Sequence, residues 1–240
     1  MYQELDVRLP REEVMADARA TFVRRTYAHL AGAILAFIGL EALLLNTISG
    51  DQILSFFFSG GGMGWLLVMV AFMGAGYLAQ MWARSDTSVA VQYMGLGLYV
   101  IAEAVIFLPL LYIAQHYVDP TGSKGLIPTA GILTLAVFGG LTMSVFMTKK
   151  DHSNLAPILS VGSMIALGVI VAACIFGFSL GLFFSFAMVA LMSGYILYQT
   201  SVVLLHYPTD KHVSAALMLF SSVATMFWYI LQILMELNRD

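Results

Sequence analysis

Charge is scarce in this sequence. Only 10% of its 240 residues are charged, while 60% are hydrophobic. A soluble domain of this size has to cover its surface with polar groups, and an average one carries about 25% charged residues. Eleven Lys and Arg with 14 Asp and Glu are too few for that task. A net charge of -3 also leaves no basic patch of the kind nucleic-acid binding needs. Cysteine is nearly absent. Cys174 stands alone, so no disulfide framework forms within the chain, and its apolar surroundings read as a small buried hydrophobe. No HExxH, GxSxG or CxxC pattern is present. The five histidines, His29, His116, His152, His206 and His212, show no ligand spacing. An intramembrane protease would need paired catalytic residues within its spans, and scattered serines with one glutamate do not supply them. The expectation is therefore a non-enzyme without a resident cofactor.

What the chain has instead is long apolar runs. A bilayer core about 30 Å thick takes roughly 20 apolar residues of helix. Seven runs meet that length: 27–47, 64–83, 91–115, 127–147, 157–177, 180–204 and 213–235. Between them lie charged or turn-forming clusters: Ser49-Gly50-Asp51, Arg84-Ser85-Asp86, Asp119-Pro120-Thr121-Gly122, Lys149-Lys150-Asp151-His152 and Pro208-Thr209-Asp210-Lys211. Gly177-Phe178-Ser179 makes a tight turn between the fifth and sixth runs. Ser59-Gly60-Gly61-Gly62 lacks the Gly-Lys-Ser/Thr of a phosphate loop and reads as a flexible external loop. The expected fold is an all-α integral membrane protein: one domain over residues 1–240, a bundle of seven transmembrane helices preceded by a polar tail at 1–22. No cleavable signal peptide is evident.

Basic residues in short loops mark the cytoplasmic side. With the N-terminus inside, the inner segments hold Arg8, Arg11, Arg19, Arg24, Arg25, Arg84, Lys149, Lys150 and Lys211, and the outer ones only Lys124 and Arg239. Seven spans then leave the C-terminus outside, whereas a re-entrant last run would return it inside.

Ionisable groups inside spans are functional candidates by default. Glu103 lies near the middle of the third run, in Tyr99-Val100-Ile101-Ala102-Glu103-Ala104. It reads either as an ion or proton site or as a protonated carboxyl hydrogen-bonded to a neighbouring helix. His29 and Glu41, nearer the two ends of the first run, read as snorkelling toward water. The seventh run carries Ser222, Thr225, Tyr229, Gln232 and Glu236 at steps of 3, 4, 3 and 4, one face of a helix. Tyr195 and Gln199 lie one turn apart in the sixth run. Such stripes glue helices together or line a wet path. Gly140 with Ser144, and Gly162 with Ala166, have the four-residue spacing of close helix packing.

Several stretches together resemble a known family. They are Ser193-Gly194-Tyr195-Ile196-Leu197-Tyr198-Gln199-Thr200-Ser201, Ala215-Ala216-Leu217-Met218-Leu219-Phe220-Ser221-Ser222, the loop Thr148-Lys149-Lys150-Asp151-His152-Ser153, and Arg24-Arg25-Thr26-Tyr27 at the entry to the first run. In order and spacing the chain is similar to the Bax inhibitor-1 family of transmembrane Bax-inhibitor-motif proteins, and most of all to bacterial YccA-like members. The resemblance covers nearly the whole chain. It implies a seven-helix bundle around a central helix, and a proton-gated calcium leak. It also implies an aspartate on each of the last two helices as the gate, with a basic latch at the inner end of the second helix. The aspartate positions here hold Gln199 and Ser222, and the latch-like position holds Arg84. Neither Gln199 nor Ser222 ionises at working pH, so the gate of the dyad-bearing relatives is missing; oxygen ligands remain, Glu103 is a candidate metal contact, and Ca2+ is the transported ion the resemblance implies. The YccA-like branch implies a second expectation, a partner or substrate of a membrane-embedded ATP-dependent protease in the bacterial inner membrane.

Overall fold

The computed structural model describes residues 3–85, 88–119 and 124–238, with side chains from Val14 onward. Asp86, Pro120-Thr121-Gly122, Arg239 and the side chains of Arg8 and Arg11 lie outside the described residues. Among the described residues there are eight α-helices and no strand: α1 (Gln3–Thr47), α2 (Gly50–Phe58), α3 (Gly61–Ala83), α4 (Val89–Ile113), α5 (Leu126–Thr148), α6 (Ala156–Phe176), α7 (Gly181–Leu205) and α8 (His212–Leu237). All but α2 are long and apolar enough to cross a membrane, which makes seven spans. Large apolar side chains such as Leu35, Leu67, Met147, Ile158 and Phe183 point outward, as a lipid-facing surface requires.

Two helices form the centre, where the family resemblance implied one. In α4 and α8 the apolar stretch is 61% buried, against 22% or less in every other span. Helix α8 packs against α1, α3, α4, α5 and α7. Its small residues, Ser214, Ala215, Ala216 and Ala224, admit neighbours on several sides. Apolar association is weak as a driving force inside lipid, so close backbone approach and dispersion have to hold such a bundle. One such close approach joins α3 and α4. A Cβ on Gly95 would come within 2.5 Å of the Ala79 carbonyl and 2.6 Å of the Ala83 nitrogen.

The polar tail at 1–22 continues helically into the first span, α1 being unbroken over 45 residues. Arg19 ties this stretch to the end of α7 by donating to the carbonyls of Val203 and Tyr207. Three local expectations are corrected. The Ser49-Gly50-Asp51 break opens a further helix. Ser49 and Gln52 form a capping box, and Ile53 and Phe57 bury their side chains beside Leu108. Ser59-Gly60-Gly61-Gly62 is a tight turn rather than a flexible loop, because Gly61 and Gly62 already belong to α3 and Gly62 lies directly against the Cys174 carbonyl. Gly140 and Ser144 face outward, with no atom within 4 Å of a Cβ on Gly140, so they pack against no helix. Gly162 does pack, against Leu191 of α7.

Helix α4 ends irregularly. Pro109 removes one backbone donor, and the chain widens into a π-turn over Ala114–Val118, closed by the Asp119 N–H donating to the Ala114 carbonyl at 2.9 Å. Asp119 in turn accepts from the Lys124 N–H at 3.0 Å.

Candidate functional site

The sequence stripe on α8 and the glutamate on α4 meet at one cavity of about 590 Å3. Thr225, Tyr229, Gln232 and Glu236 line one wall, and Glu103 and Tyr99 lie across from them on α4. Helix α7 adds Ser185. Phe58, Trp65 and Leu180 surround the end at which α2 and the α6–α7 turn lie. The helical period explains the wall, since steps of 3 and 4 keep four polar groups in a row along α8. Glu236 is exposed at the rim, Gln232 and Thr225 are half-buried, and Glu103 is 3% exposed.

Hydrogen bonds tie the interior together. The Tyr99 hydroxyl is 2.7 Å from Ser221 Oγ, which links α4 to α8, and it also interacts with Glu103 one turn further along α4. Thr225 donates to the Ser221 carbonyl at 2.9 Å. Ser185 Oγ donates to Gln232 Oε1 at 3.4 Å, a long contact that leaves the amide free to turn. Chemically the wall offers hydroxyl, amide and carboxylate oxygens, the ligand set hard cations prefer. No group of three or more His, Cys, Asp and Glu gathers among the described residues.

The remaining residues singled out by the sequence lie elsewhere. Tyr195 bonds Ser163 at 2.9 Å and joins α7 to α6. Gln199 is 6% exposed with its Oε1 unpartnered, and Ser222 is 5% exposed; neither lines the cavity. Arg84 is exposed at the end of α3, where its carbonyl accepts from Lys211 Nζ at 3.2 Å. Glu41 does not snorkel. It is 4% exposed, and neither carboxyl oxygen has a hydrogen-bond partner. Its face of α1 turns toward the protein interior rather than the headgroups. His29 is half-buried, its ring nitrogens 2.7 Å from the Arg25 carbonyl and 2.7 Å from the Tyr93 hydroxyl. Sequence spacing gave no sign of the Tyr99–Ser221 link or of the His29–His212 ring contact at 4.8 Å, because both join residues far apart in the chain.

Outside the spans, Asp151 and His206 pair at 2.7 Å, joining the loop after α5 to the end of α7. The His206 hydrogen bond, helped by the Ser153 backbone N–H, holds the Asp151 carboxyl down at about 2.

This architecture defines a multi-pass α-helical membrane protein with an acid at the floor of an internal cavity. The chain matches the family described as "Inhibitor of apoptosis-promoting Bax1" over residues 19–239, and it belongs to that family, the Bax inhibitor-1 family. It is similar to two proteins of Neisseria meningitidis, one from a serogroup A strain and one from a serogroup B strain. Each is 29% identical over 228 residues, covering 93% of this chain and 94% of the relative. A protein of Pseudomonas aeruginosa is 29% identical over 173 residues, covering 70% of this chain and 72% of the relative. All three are described only as uncharacterized.

Proposed function

We propose that this protein is a cation leak of the bacterial inner membrane, permeable to Ca2+, with its N-terminus in the cytoplasm. One observation carries the reading: Glu103 is a carboxyl 3% exposed at mid-membrane, on the floor of a cavity whose wall leads through Thr225, Tyr229 and Gln232 to Glu236 at the rim. An ionised carboxylate at the bilayer centre costs roughly 2.5–3.5 kcal/mol on insertion scales. A hydrated cavity and a cation offset that cost, and Glu236 at the entrance concentrates cations before they enter. Family membership supports the substrate class. The gate differs from that of dyad-bearing relatives, because Gln199 and Ser222 occupy the aspartate positions and hold no titratable proton. Arg84 then has no acidic partner to latch.

Calcium entry into proteoliposomes containing the purified protein, followed with an enclosed indicator, tests this. Wild type should carry Ca2+ above protein-free vesicles, and Glu103→Gln should lower the flux roughly tenfold, the effect of losing about 1.4 kcal/mol of cation stabilisation. Gln keeps the size and hydrogen bonding of Glu, so the fold should survive. Absence of wild-type flux, or unchanged flux in a folded Glu103→Gln protein, overturns the proposal and leaves the role of a membrane-protease partner ahead.

A further inference from the structure

A second cavity has no part in the path described above. It is a groove of about 520 Å3 between α1 and α4, open to the lipid side. Small residues make it. Ala28, Gly32 and Ala36 of α1 face Gly97 of α4, and their side chains are too short to fill the seam. A Cβ on Gly32 or on Gly97 would meet no atom within 4 Å. One end of the groove is polar. There His29 bonds Tyr93 at 2.7 Å, the His212 ring lies 4.8 Å from that of His29, and exposed Arg25 stands within electrostatic reach of His212. None of the residues lining the groove is acidic.

From this geometry we infer a binding site for one anionic glycerophospholipid, with its phosphate against the exposed Arg25 guanidinium beside the His29–His212 ring pair, and one acyl chain laid along the groove. Depth supports this occupant. The groove runs on α1 from His29 to Leu40, and eleven residues of helix rise about 16 Å. Half of a hydrocarbon core about 30 Å thick is about 15 Å, so the groove is one leaflet deep with its polar end at headgroup level. The charge agrees too, because a guanidinium grips phosphate oxygens through paired N–H donors. A second copy of the chain fits less well. A helix with its side chains is about 10 Å across and does not enter a seam between packed helices. A two-fold contact there would also set these basic groups against themselves.

Native mass spectrometry of the detergent-purified chain tests the site, with phosphatidylglycerol and phosphatidylcholine of identical acyl chains titrated in parallel. The wild type should retain one phosphatidylglycerol in preference to phosphatidylcholine by roughly fivefold, the effect of the one guanidinium engaged. Gly32→Leu with Gly97→Leu should abolish retention of both lipids while the unfolding temperature stays that of wild type. Arg25→Ala, at an exposed position, should leave the fold intact and reduce the preference without abolishing binding, so it decides the matter if the leucine pair fails to fold. Equal retention of the two lipids by wild type, or an unchanged preference in Arg25→Ala, overturns the assignment. So does a dimer that only the leucine pair dissociates, which would give the groove to a second copy of the chain.

Discussion

The hydroxyl of Tyr99 stands 2.7 Å from Oγ of Ser221, and this one contact fixes the rotation of α4 against α8 beside the cavity. It also sets the cavity's contents. With α4 turned this way, Glu103 faces Thr225 and Tyr229 instead of lipid. Tyr99→Phe removes the link and leaves the half-buried Ser221 hydroxyl short of a partner. Buried hydrogen bonds in membrane bundles contribute about 0.6 kcal/mol on average and up to about 1.7. The expected outcome is a stability loss in that range in detergent unfolding, with calcium flux reduced less than in Glu103→Gln because the carboxylate remains.

The crossing of α3 and α4 should tolerate no side chain at Gly95. The atoms a Cβ would meet there belong to the backbone of Ala79 and Ala83, which cannot rotate aside. Gly95→Ala should cost about 1–3 kcal/mol, the usual scale of overpacking. Gly140→Ala, at an open position, should stay within about 0.5 kcal/mol of wild type. Thermal unfolding of the two variants side by side checks the contrast, and equal losses would contradict the geometry.

The Asp151–His206 pair gives a pH prediction outside the membrane. The folded carboxyl titrates near 2 against an ordinary 3.8, chiefly because His206 hydrogen-bonds to it. A depressed acid stabilises the fold above its unfolded value, and that contribution disappears as pH falls through the folded value. The loop contact should therefore persist at neutral pH and weaken between about pH 4 and 2. Carboxyl NMR of Asp151 should show the low titration, and His206→Ala should return it toward 3.8.

Gating should change if carboxyls are restored. Gln199→Asp with Ser222→Asp places two acids at positions 6% and 5% exposed on adjacent helices. Coupled buried carboxyls titrate as a unit and can be pushed into the range of about 5 to 8. Calcium flux in the double variant should acquire a steep switch within that window, which wild type lacks. A wild type that already switches there would identify another group as the sensor.

Reporter fusions at the two ends should fall in opposite compartments, the N-terminal one in the cytoplasm. Seven spans and the basic residues of the inner loops lead to that expectation. Both ends in one compartment would mean that α8 does not cross.

The sequence by itself determined what local periodicity and composition carry. The seven spans, the charged breaks and the row Thr225, Tyr229, Gln232, Glu236 were all legible, because a helix repeats every 3.6 residues and lipid admits no unsatisfied backbone. Only the tertiary structure decided which face of each helix turns inward. In a soluble protein hydrophobicity marks that face. Here both the lipid-facing and the packed faces are apolar, so Gly140 looked like Gly162 and Glu41 looked like a residue at the headgroups. The meeting of Glu103 with the α8 row, and of His29 with His212, depends on helix rotation and pairing between residues far apart in the chain. No spacing along one helix encodes either.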